Sequence, residues 1–69
     1  MKKQWSITAL EAQLPSYLGM CHTQFERDNV IAFHGIEVRK LASEKTLYGK
    51  KLTPAEIAIA EKYGWRKAQ

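Results

Sequence analysis

The feature that most constrains this chain is a glycine held between two apolar residues, Leu18-Gly19-Met20, with the bulky Phe25 five positions beyond. Glycine takes positive φ without strain, so Gly19 is predicted to end a helix at Leu18 and turn the chain. Met20 is expected to be buried, and a second helix over about residues 22–29 to follow, with Phe25 as its inward anchor. That spacing is the spacing of a helix-turn-helix, in which two short helices pack steeply across a small turn. In that frame Cys21, His22, Thr23, Glu26 and Arg27 face outward, where a DNA groove would meet them.

The segments around this stretch predict a mixed architecture. Trp5 and Ile7 alternate with polar residues, as in a brief strand or extended arm. Thr8-Ala9-Leu10-Glu11 has the form of a capping box, and Leu10 and Leu14 form one helical stripe behind it. Pro15 lacks an amide donor and crowds the carbonyl of Glu11, so the first helix is expected to break near Leu14. The β-branched and aromatic run of residues 30–33 predicts a strand, and His34-Gly35 a two-residue turn. Residues 36–39 alternate strictly, with Ile36 and Val38 on one face and Glu37 and Arg39 on the other, as a second strand that Lys40 and Leu41 finish would. A polar loop follows, then a third short strand over residues 47–52 with Gly49 as a bulge. Thr53-Pro54-Ala55-Glu56 is the clearest local signal: a capping threonine, proline at the first helical position and a glutamate that completes the box. The helix it starts is expected to run to Tyr63 and stop at Gly64, with Trp65 packing back on its end. Ile57 points nearly opposite Ile59 on this helix, which implies either deep burial or contact with a second chain.

Leu18, Gly19, Met20, Thr23, Phe25 and Arg27, with this order of elements, resemble the small excisionases and the related MerR-like winged helix-turn-helix proteins. The resemblance implies a single α+β domain over residues 1–69: a winged helix-turn-helix with a two- or three-stranded antiparallel wing and a C-terminal helix. It further implies a protein of a prokaryote or its mobile elements, binding DNA cooperatively beside a recombinase or another copy of itself.

Charge is consistent with such a partner. The net charge is +4, and it is concentrated: residues 35–51 carry Arg39, Lys40, Lys45, Lys50 and Lys51 against Glu37 and Glu44. A positive surface of this kind has two readings of equal weight on charge alone, an ordinary solvated face or one that meets nucleic acid. One domain of this length leaves little room for an enzyme cleft. The single cysteine excludes an internal disulfide, no apolar run approaches membrane-spanning length, and no signal peptide is legible, which together predict a cytoplasmic protein.

No catalytic pattern stands out. Cys21, His22 and His34 are the only soft metal donors and have no ligand spacing. The serines lie in no triad or elbow motif, and no phosphate loop is present. The chain is therefore expected to be non-enzymatic, with no cofactor or metal. The expected function is site-specific binding of double-stranded DNA, as an excisionase-like architectural factor or a small transcriptional regulator. His22, Thr23, Glu26 and Arg27 would face the groove, and Arg39, Lys40, Lys50 and Lys51 would hold phosphates. The alternative is an adaptor or inhibitor that docks on a larger protein, which the acidic Glu26 on the supposed DNA face favours.

Overall fold

A computed structural model describes residues 6–66; of the brief strand or extended arm expected over residues 2–7, residues 2–5 lie outside the described residues, and Ile7 is instead the buried first residue of a helix. Three helices follow one another: α1 (Ile7–Gly19), α2 (Gln24–Leu47) and α3 (Pro54–Lys62). No strand occurs among the described residues, so the α+β winged architecture is replaced by a three-helix bundle.

The replacement has a clear physical origin in α2. Its buried positions are His34, Gly35, Val38, Leu41, Ala42 and Lys45, which recur at helical spacing and form one continuous stripe. Ile36 and Val38, the pair expected on one strand face, lie two residues apart in a helix and so point to nearly opposite sides. Val38 is fully buried while Ile36 is about half exposed. The β-branched run of residues 30–33 costs only a few tenths of a kcal/mol per residue in a helix, a penalty that packing of the stripe against α1 and α3 overrides. Gly35 is not a turn residue. A Cβ there would stand 3.3 Å from Cδ1 of Tyr63, so the glycine admits that ring against the helix.

The first helix also differs from expectation. Ser6, not Thr8, is its N-cap, and the Ser6 Oγ accepts from the Ala9 amide at 3.1 Å. Pro15 sits inside α1 and the helix continues past it to Gly19. Pro15 itself is exposed, whereas Leu10, Leu14 and Leu18 are half-buried, so packing carries the helix through the missing donor. Gly19 does not adopt positive φ; among the described residues only Gly49 and Gly64 do. Met20 and Phe25, the expected buried flanks of the turn, are 64 % and 74 % exposed. The steep helix-turn-helix crossing is absent too: α2 runs back along α1, with Glu11 beside His34 and Tyr17 across from Val30 and Phe33.

Two glycines close helices in the same way. After α2, the Lys50 amide donates to the Lys45 carbonyl and the Gly49 amide to that of Thr46. After α3, Trp65 donates to Ala60 and Gly64 to Glu61. Both are Schellman motifs built on a left-handed glycine, so Gly49 ends a helix where a bulged third strand was expected. The capping box of Thr53 and Glu56 forms as the sequence predicts, with proline in the first turn. Thr53→Ala is accordingly expected to cost about 1 kcal/mol in urea unfolding; a change within error would show that the cap is dispensable.

The core holds Ile7, Val38, Leu41, Ala42, Ala60 and Trp65, with Leu10, Leu52, Ile59 and Tyr63 packed around it. Ile59 thus joins the core, and Ile57 is half-buried under the segment that links α2 to α3. The two-sided apolar character of α3 is satisfied by burial within the chain. α3 spans only nine residues against the twenty-four of α2, so it covers the half of α2 that holds His34 to Lys45. The other end of the α1–α2 hairpin is left open.

Candidate functional site

The residues expected to meet DNA do not come together. α2 is about 36 Å long at 1.5 Å per residue. Arg27 lies near its start and Lys50 and Lys51 lie past its end, roughly 30 Å away. Thr23 and Glu26 serve the helix start: the Thr23 Oγ1 accepts from the Glu26 amide at 3.1 Å and donates to Glu26 Oε1 at 3.2 Å, while the His22 amide donates to the same oxygen at 3.3 Å. Arg27, eleven positions before Val38, falls on the core-facing side of α2 but beyond the reach of α3, and is exposed. The expected geometry, with Phe25 inward and Arg27 outward, is therefore inverted. Arg39 donates through Nη1 to the Tyr63 carbonyl at 2.9 Å and braces the end of α3. Lys40 is exposed on α2. Lys50 and Lys51 border a shallow depression floored by Ile57 and Trp65.

A polar cluster that sequence reasoning missed joins all three helices. Glu11 from α1 accepts from His34 Nε2 at 2.7 Å and from the Tyr63 hydroxyl at 2.8 Å, and its second oxygen pairs with Lys62. The His34 and Tyr63 rings meet edge to face, 5.1 Å between centroids, and the Lys62 ammonium sits 5.0 Å from the Tyr63 centroid. Burial pushes the Glu11 carboxyl up, but hydrogen bonds from Lys62, His34 and Tyr63 outweigh it and hold the group at about 2. The same burial, together with the Glu11 carboxylate, pushes the Tyr63 phenol above its ordinary value. With Glu11 ionised, it acts as an acceptor, so Nε2 of His34 carries the proton between them. Every polar group here is engaged in holding the helices together. Glu11 was expected to cap its own helix and His34 to sit in a turn. The helical stripe that includes His34, Val38 and Leu41 is the signal that places His34 inside.

Next to this cluster lies an open apolar groove of about 320 Å³ between α1 and α2. Leu10, Leu14 and Tyr17 form one wall, Val30 and Phe33 the other, and His34 and Glu37 stand at its polar side. Tyr17 is 50 % and Phe33 69 % exposed, so two aromatic rings rim an uncovered apolar surface. The groove exists because α3 ends before reaching this part of the hairpin. Its chemistry is that of contact: apolar walls, aromatic rims and a carboxylate at the edge. No helix among the described residues is long and apolar enough to cross a membrane. No protein-family model, curated protein or solved structure matches the chain.

Proposed function

We propose that the chain is a non-enzymatic adaptor or inhibitor that docks on a larger protein by taking an amphipathic helix of that protein into the α1–α2 groove. The observation that carries this reading is the groove itself, with Tyr17 and Phe33 exposed at its rims. Small domains rarely leave large aromatic rings uncovered side by side without a partner. Helix-in-groove recognition needs an apolar trough of this kind, filled by side chains one helical turn apart. Glu37 lines the groove and, among the described residues, no lysine or arginine does, so the fitting helix carries a cation beside its apolar anchors.

A labelled amphipathic helix of leucine and lysine is a suitable probe. Its titration should shift the amide resonances of Leu14, Tyr17, Val30 and Phe33, and Tyr17→Glu should weaken it about tenfold or more by placing a carboxylate on an apolar rim. Shifts spread evenly over the surface, or a Tyr17→Glu variant that binds as tightly as the wild type, would sink the proposal.

Duplex DNA is the second reading, supported by the net charge of +4 and by exposed Lys40 and Lys51 on the half of the molecule away from the groove. Without a wing or a presented recognition helix, such binding would rest on phosphate contacts, and its affinity would fall steeply with salt. A titration with random duplex DNA at rising salt separates the two. Tight, salt-sensitive DNA binding with no response to the peptide would put the DNA reading in first place.

A further inference from the structure

The outward face of α2, opposite the core, carries a second apolar stripe. Phe25, Asn29, Ala32 and Ile36 follow one another at steps of four, three and four residues, and by helix geometry they fall within a strip about 60° wide. Phe25 is 74 % and Ile36 49 % exposed, and Phe33, 69 % exposed, flanks the strip. A helix apolar on both sides needs cover on both sides. The bundle supplies one, and among the described residues none covers the other.

We propose that this face pairs with the same face of a second copy, the two α2 helices running antiparallel about a two-fold axis. The charge pattern selects a copy of this chain as the occupant. Glu26 and Lys40 lie on the same flank of the strip, two heptads apart. An antiparallel register that sets Ala32 against the partner's Ile36 brings Glu26 alongside the partner's Lys40, and the symmetry repeats the contact. A parallel pair does not make this attraction. The small side chain of Ala32 lets the helices approach near the crossing, and Asn29 contributes a polar group of the kind that fixes register. Size agrees with a modest dimer. Phe25, Phe33 and Ile36 together expose roughly 350 Å² of apolar side chain. With Ala32, Asn29 and the stem of Lys40, two copies bury on the order of 1,000 Å², the lower bound for specific association. This surface is separate from the helix-binding groove except at Phe33, which borders both, so neither proposal depends on the other.

Sedimentation equilibrium of the full chain tests it. The wild type should pass from monomer toward dimer as concentration rises from about 10 µM to about 1 mM. Ile36→Glu should abolish the association, and Tyr17→Glu, off the strip, should leave it unchanged. Lys40→Glu and Glu26→Lys should each weaken self-association several-fold. Mixing those two variants should restore it, because one of the two symmetry-related pairs is then native and the other is reversed. That rescue cannot arise from misfolding of either variant. A wild type that stays monomeric throughout overturns the proposal, even if a helix of another protein is found on this face. Association that survives Ile36→Glu, or that the mixture fails to restore, places the interface elsewhere and overturns it equally.

Discussion

Glu56→Ala is expected to leave most of the protein unfolded at physiological temperature. Glu56 is 4 % exposed and stands at the third position of α3. One carboxylate oxygen accepts from the Thr53 amide at 3.1 Å. The other accepts from the Ile7 amide at 3.1 Å and from the Lys45 ammonium at 2.8 Å. A single side chain thus caps α3, satisfies an orphan donor in the first turn of α1 and neutralises a lysine that is itself only 8 % exposed on α2. Burial raises the Glu56 carboxyl, yet Lys45 and the Thr53 and Ile7 amides together hold it below its ordinary value, so the carboxylate is ionised at neutral pH.

Truncation strands the lysine and the Ile7 amide in the interior and leaves the part-buried Thr53 amide without its acceptor. Breaking a buried pair from one side costs about 3–5 kcal/mol, and a domain of this size has stability on the order of 3–10 kcal/mol. The loss should be several times that of Thr53→Ala, which removes one cap and leaves the pair intact. Far-UV circular dichroism during heating gives the comparison. Replacing both partners, Glu56→Leu with Lys45→Met, should recover a large part of the stability, because no charge is then left unpaired. A Glu56→Ala variant that melts within a few degrees of the wild type would show that this carboxylate does not tie the helices together.

What was legible in the sequence is what local chemistry alone decides. Thr53, Pro54 and Glu56 act within one turn of one another and Gly64 on the last turn alone, and the helix they delimit appears where they predict it. The same Tyr-Gly pair that ends α3 also ends α2 at Tyr48-Gly49, so the second stop could have been found by analogy with the first. It was hidden by the strand pattern expected before it, because the apolar alternation of residues 36–39 fits period two and made Gly49 a bulge in a third strand. Helix and strand differ there in which residues share a side, and only the long stripe from His34 to Lys45 decides between them. The polar cluster was out of reach for another reason. Glu11 meets Tyr63 and Lys62 across nearly the whole chain, and no local pattern encodes that distance. The groove was illegible because it depends on what α3 fails to cover, a consequence of relative helix length after packing. Gly19 misled because a glycine between apolar residues has the same appearance whether or not it adopts positive φ.

Acid should weaken the bundle in a window set by Glu11. The carboxyl lies at about 2 in the folded chain against an ordinary value of 4.5. A group whose folded pKa is depressed contributes stability that is fully present above the unfolded pKa and is lost as pH falls through the folded one. The contribution of Glu11 is therefore complete above about pH 4.5 and gone near pH 2. A shift of this size corresponds to about 3 kcal/mol at most. Lys62, the exposed member of the cluster, is screened by solvent, so a value on the order of 2 kcal/mol is expected. Glu56 is depressed as well and titrates toward the same side, so the acid limb of the wild type contains both groups. Glu11→Gln separates them. It keeps an acceptor for His34 and Tyr63 but removes the charge that Lys62 pairs with. Urea unfolding at a series of pH values should show the variant less stable than the wild type at neutral pH, with the gap narrowing as pH falls below about 4.5 and closing near 2. A gap that stays constant over that range would mean that the Glu11 carboxylate gains nothing from His34, Tyr63 and Lys62. The cluster would then be a product of helix packing and not one of its causes.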